Sequence, residues 1–161
     1  MSDIENRIQR LEDIKSIEQL KYKYLHACDD KDPEAMISVF TKENCEIDYG
    51  EVGVFNDRET LKKVYTAAAC HDYMIESHHA HNPIINIIDS DKAIGVWALT
   101  YQLINTKDLS IVKLKGIYED EYIKDAGEWL ISKTKFILKS TLSRQIEDCL
   151  LYTSPSPRDK R

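Results

Sequence analysis

Between residues 78 and 139 the chain reads as four long runs of strand-forming residues, 78–88, 92–105, 109–124 and 128–139. Only the turn-forming stretches "DSDK", "TKD" and "DAGE" separate them. Links this short join antiparallel neighbours, because a parallel pair needs a much longer crossover, so a meander of antiparallel strands is expected. The first part of the chain has the other period. Ile4, Ile8, Leu11, Ile14, Ile17, Leu20, Tyr24 and Cys28 recur at three- and four-residue steps, with Lys, Glu and Gln between them. That pattern predicts one long helix with an apolar stripe, with a break near residue 13 left open. "DDKDP" stops it, since Pro33 disfavours helix at Asp32 and suits the first turn of a new helix over "PEAMISVF". "CEIDYGEVGVF" alternates and then turns at Gly50 and Gly53, which reads as a short strand and hairpin. "NDRETLKKVYTAAAC" reads as a helix capped by Asn56 or Asp57. Helices first and strands after them predict an α+β chain, its helices packed on one face of a curved, mostly antiparallel sheet.

A length of 161 residues suits one domain. The formal charge of −6 and the lack of a Lys/Arg cluster argue against nucleic acid as a partner. No apolar run approaches the roughly 20 residues of a spanning helix, and the N-terminus lacks a signal-peptide core, so a cytoplasmic protein without membrane contact is expected. Cys28, Cys45, Cys70 and Cys149 are widely spaced, which suggests reduced thiols. The C-terminal stretch "CLLYTSPSPRD" resembles the translation of a transposase adapter used in shotgun sequencing libraries. Residues 148–161 are accordingly expected to be an adapter-derived, disordered tail on a metagenomic reading frame whose native C-terminus is lost. One domain then spans residues 1–147; removal of residues 149–161, which carry three positive charges and one negative, takes the charge of the rest to near −8. No GxGxxG, P-loop, HExxH or GxSxG pattern is present.

A long N-terminal helix ending in "YLHACDDKD", a strand ending in "IDY", a strand that opens with histidine and "NP", and the run "GIYEDEYIKDAGEWLI" together carry a resemblance. Over roughly residues 5–140 they resemble the SnoaL-like group of the nuclear-transport-factor-two-like superfamily, nearest in motif to scytalone dehydratase and bile-acid 7α-dehydratase. The resemblance implies a cone-shaped α+β fold. Matched residue by residue, it implies that Tyr24, Asp29, Tyr49 and His78 meet in a pocket as the catalytic group. A further polar pocket position of those enzymes falls at Tyr101 or Leu103, and an arginine of the bile-acid enzyme falls at Leu138, so neither substrate carries over. Trp97, Tyr101, His81 and Leu103 are the candidate substrate contacts.

The residue types suit elimination from a hydroxy-carbonyl compound. One imidazole, with an ordinary pKa of about 6.5, accepts and returns a proton near neutral pH. A carboxylate such as Asp29 fixes its tautomer and stabilises its cation. Tyr24 and Tyr49 then donate to a developing enolate. No cofactor or metal is required. "ESHHAHNP" places three histidines in four positions, and strand alternation puts His78 on one face and His79 with His81 on the other. An HxH pair without a third ligand is a poor metal site; a bulge is what would bring His81 into the pocket. The run "GIYEDEY" is expected to be a solvated sheet face or oligomer rim, with Gly116 at a bend or bulge. The leading expectation is a cofactor-independent dehydratase or isomerase acting on a small, mostly apolar polyketide, steroid or aromatic hydroxy-carbonyl compound, as a homodimer or homotrimer. The alternatives are a non-catalytic binding or oligomerising cone domain, and a structural subunit like the small subunit of ring-hydroxylating dioxygenases.

Overall fold

A computed structural model describes residues 2–146. The chain opens with helix α1 (Asp3–Asp29) and the short helix α2 (Pro33–Ser38). Strand β1 (Glu46–Asp48), a 3₁₀ turn (Gly50–Val52) and strand β2 (Val54–Phe55) lead into helix α3 (Arg58–Ala69). The long strands β3 (Met74–Ile87), β4 (Lys92–Asn105), β5 (Ser110–Asp125) and β6 (Glu128–Gln145) complete it. The sheet order is β2-β1-β6-β5-β4-β3, antiparallel throughout except where β1 runs parallel to β6. The expected α+β architecture is thus observed, with the helices packed on one face of a curved six-stranded sheet. The reading of residues 148–161 as an adapter-derived tail lies outside the described residues.

The helix starts follow local chemistry. Ser2 and Glu5 form a reciprocal capping box at α1, Asp32 caps α2 ahead of Pro33, and Asp57 caps α3. The expectation for α1 needs two corrections. The helix is unbroken at residue 13, because Asp13 is not a helix interruption but a buried carboxylate that accepts hydrogen bonds from Lys124 (2.6 Å) and Trp129 (2.9 Å). Those donors, with Gln9, outweigh the burial that opposes ionisation and hold its carboxyl below the usual range. Nor is the stripe buried along its whole length. Ile17, Tyr24, Leu25 and Cys28 are in the core, whereas Ile4, Ile8 and Leu11, in the first turns of α1, are exposed.

The core sits between α1, α2 and the inner sheet face, where Ile17, Met36, Phe40, Ile47, Trp97 and Ile131 are almost fully buried. Each such side chain contributes roughly 1.5–3 kcal/mol relative to exposure. The charge run in β5 is only half solvated. Glu119 and Glu121 are exposed, but Asp120 is buried and pairs with Lys21 at 2.8 Å. The ladder slips between Lys115 and Gly116, as expected for a bulge, and a Cβ on Gly116 would collide with the Phe136 ring. The glycine therefore leaves room for the Phe136 ring close against the strand. No described helix is long and apolar enough to cross a membrane.

Candidate active site

Between α1, α3 and the inner sheet face lies a cavity of about 320 Å³ whose wall includes Tyr24, Tyr49, Glu76, His78, Tyr101 and Tyr118. Apolar side chains, among them Met36, Leu61, Leu99 and Phe136, make up much of the rest. A wider, charged groove of about 710 Å³ runs along α1 beside Lys124 and Trp129, but none of these chemistry-bearing side chains opens into it.

Asp29 is the last residue of α1, and His78 faces it from β3. The Asp29 Oδ1 lies 2.6 Å from His78 Nδ1, and both carboxylate oxygens accept from the His78 backbone N–H at 3.1 Å. An ionised carboxylate only accepts, so Nδ1 carries the proton and the Nε2 lone pair is free. Among the described residues Nε2 has no hydrogen-bond partner. The Tyr101 ring backs the imidazole at 4.6 Å between centroids.

Opposite, the Tyr24 and Tyr49 hydroxyls lie 2.6 Å apart. One phenol donating to the other leaves a single O–H to point elsewhere, a donor that a carbonyl oxygen in the cavity would take up. Tyr49 stands just beyond β1, at the start of the 3₁₀ turn. Burial raises both phenols well above their ordinary value near 10, and it pushes the neighbouring Cys28 thiol up to about 12. Near neutral pH the cavity therefore holds protonated donors and no thiolate. Stability should respond in alkali. The unfolded chain ionises these tyrosines near pH 10 while the folded chain keeps their protons, so stability is full below that pH and falls as pH rises above it. Urea midpoints measured from pH 8 to 11 should decline more steeply for the wild type than for Tyr24→Phe/Tyr49→Phe.

The other candidates separate. Tyr101 lines the cavity, but its hydroxyl donates to Glu76 Oε1 at 2.7 Å. Leu103 follows it along β4, opposite Glu76, and is not among the lining side chains. Trp97 is completely buried, its indole N–H donating to Tyr122 at 2.8 Å, so it is core and not cavity wall. His81 points to the outer face, with Nε2 2.9 Å from the Thr100 hydroxyl. The bulge in β3 comes after it, between His81 and Ile84, too late to turn it inward. Leu138 is exposed. Among the described residues no cluster of three His, Cys, Asp or Glu side chains is placed to hold a metal ion. Glu76, Lys31 and Tyr118 were not singled out from the sequence. Strand alternation held the signal for Glu76, which stands two residues before His78 on the same face.

The family model of the SnoaL-like domain matches residues 9–135. The chain belongs to this family. Solved structures agree on the fold. A protein from Novosphingobium aromaticivorans that carries a provisional scytalone dehydratase name is 21% identical, with a TM-score of 0.78 over 88% of this chain and 93% of that one. The hexachlorocyclohexane dehydrochlorinase LinA-type3 from Novosphingobium barchaimii is 15% identical, with a TM-score of 0.78 over 92% of this chain and 99% of that one. A Nostoc punctiforme protein of unknown function with a cystatin-like fold is 22% identical, with a TM-score of 0.65 over 79% and 91%. At these identities the likeness is one of fold.

Proposed function

We propose that this SnoaL-like protein is a cofactor-independent lyase or isomerase that removes water from, or moves a proton within, a small, mostly apolar hydroxy-carbonyl compound. The observation that carries the reading is the 2.6 Å contact from Asp29 to His78 Nδ1, with the imidazole set in the wall of a mainly apolar cavity. Nε2 takes the proton α to the carbonyl, and the electron pair moves onto the carbonyl oxygen, which the free phenol O–H of the Tyr24–Tyr49 pair meets. The enolate collapses, the β-hydroxyl leaves with the proton returned from Nε2, and one water is lost. Return of the proton to a different carbon gives isomerisation instead. Asp29 holds the ring and stabilises the imidazolium between the two transfers. The names of two neighbours, a dehydratase and a dehydrochlorinase, both describe β-elimination, which supports this class of chemistry. A volume near 320 Å³ is at the small end of ligand pockets and suits one or two rings better than a steroid. The reading includes a homodimer or homotrimer, for which the exposed Ile84, Ile94 and Val96 on the outer sheet face offer a surface.

The test is to incubate the protein in deuterated water with neutral one- and two-ring β-hydroxy ketones and follow mass. Loss of water, or deuterium gained at the α-carbon of recovered substrate, is the expected result. Ligands that bind yet neither exchange nor eliminate would overturn the reading in favour of a non-catalytic binding domain.

A further inference from the structure

Glu76 is a carboxylate in the wall of a mainly apolar cavity, its side chain only 7% exposed. Both of its oxygens are occupied: Oε1 accepts from the Tyr101 hydroxyl at 2.7 Å, and Oε2 pairs with the Lys31 ammonium. Lys31 follows α1 with φ of 59°, a left-handed conformation that few non-glycine residues adopt. Burial holds its ammonium below the usual lysine range. The nearby cation is thus committed to a carboxylate. Among the described residues that line the cavity there is no Lys or Arg. Asp29 adds a second negative charge beside His78, and Tyr24, Tyr49 and Tyr118 keep their protons. An anion entering this space would shed its water, meet the Glu76 carboxylate with the Asp29 charge behind the imidazole, and find no free counter-charge among the lining side chains, a combination that is strongly unfavourable in a low-dielectric site. A neutral carbonyl or hydroxyl compound meets no such penalty.

We infer that Glu76, held by Lys31, is a specificity-determining residue that restricts this cavity to neutral ligands and excludes carboxylates, phosphates and acyl thioesters with anionic carriers. The inference rests on the reading of this cavity as the substrate site, but not on turnover. It makes the Lys31–Glu76 pair a charge filter. Glu76 neutralises an ammonium that would otherwise recruit an anion.

The experiment uses two probes of matched size, 2-naphthol and 2-naphthoate, titrated calorimetrically at about pH 8, where an ordinary carboxylic acid such as naphthoate is ionised. The wild type should bind naphthol at least about tenfold more tightly than naphthoate, a difference of about 1.4 kcal/mol. Glu76→Gln keeps an oxygen for the Tyr101 hydroxyl and frees the Lys31 ammonium, so it should narrow that ratio by about tenfold or more. Lys31→Met removes the cation instead and should leave the ratio at or above the wild-type value; it decides the matter if Glu76→Gln does not fold. Equal binding of the two probes by the wild type, an unchanged ratio in Glu76→Gln, or a narrowed ratio in Lys31→Met would overturn the filter and leave the proposed chemistry standing. Failure of both probes to bind would overturn the filter and the cavity's role together. Selective binding without any elimination or exchange would instead remove the enzyme reading and keep the filter.

Discussion

His78→Ala is expected to lower kcat by about 10²–10⁴-fold, the usual worth of a positioned general acid-base group, with KM and the unfolding midpoint little changed. The expectation that the fold survives comes from the hydrogen bonds themselves. Asp29 accepts from the backbone N–H of residue 78 as well as from its ring, so the carboxylate keeps a partner when the imidazole is removed. The cavity also loses no charge-balancing group, because the Lys31–Glu76 pair does not pass through the ring. Asp29→Asn should reach a loss of similar order by another route. An asparagine side chain can accept from that backbone N–H, but it no longer fixes the Nδ1–H tautomer or stabilises the imidazolium. Steady-state kinetics on whichever hydroxy ketone is turned over, with circular dichroism of each variant, checks both. An unchanged kcat in His78→Ala would remove the imidazole from the mechanism.

Lys21→Met should destabilise the fold by about 3–5 kcal/mol, the range measured when one partner of a buried ion pair is deleted. Lys21 and Asp120 are 0% and 2% exposed. Asp120 Oδ2 accepts from Lys21 (2.8 Å) and from Tyr122 (2.7 Å), while Oδ1 accepts from Thr134 (2.6 Å). The Tyr122 oxygen in turn accepts from Trp97, and the ammonium lies 3.6 Å from the centre of the Tyr118 ring. Removal of the cation leaves a carboxylate buried among groups that cannot neutralise it, although three hydroxyl and indole donors remain in the network. Lys21→Met/Asp120→Asn should therefore recover most of the loss, because the two changes interact strongly. Urea unfolding of the two single variants and the double variant measures this. A double-variant cost equal to the sum of the two single-variant costs would show that the pair is not coupled.

The same network marks where the sequence could be read and where it could not. The four long strands were legible because alternation is maintained and the turns between them are short. The starts of α2 and α3 were legible because Pro33 suits a first helical turn and Asn56 or Asp57 offered a cap's chemistry. Asp120 was not: it lies in a run of acidic residues, and its partner Lys21 is on the helix, 99 positions away. Spacing along the chain carries no trace of such a pairing. The end of the buried part of α1 was equally hidden, since Leu11 continues the periodicity of Ile17 and only the sheet's edge decides which of them is covered. At the site, the resemblance named Tyr24, Asp29, Tyr49 and His78; the fold sets Tyr24, Tyr49 and His78 in the wall of one cavity, with Asp29 bonded to the imidazole from behind. Trp97 and His81 went astray for local reasons. One lies too deep beneath the sheet, and the other precedes the bulge that would have had to turn it. Glu76 was within reach of alternation alone.

Asp29 also closes α1, with Asp30 as its C-cap, so two carboxylates sit at the end of a 27-residue helix where the backbone dipole is negative. A carboxylate there is disfavoured, by roughly 0.3–1 kcal/mol for an exposed group. The residue that orients the acid-base group thus occupies a position where the helix itself would be better served by Asn or Lys. Selection for thermal robustness alone would push residue 29 toward those types, and a lineage released from catalytic duty should lose the dyad from its helix end first. Retention of aspartate at this position across relatives would accordingly be a signature of continuing chemistry and not of a requirement of the fold.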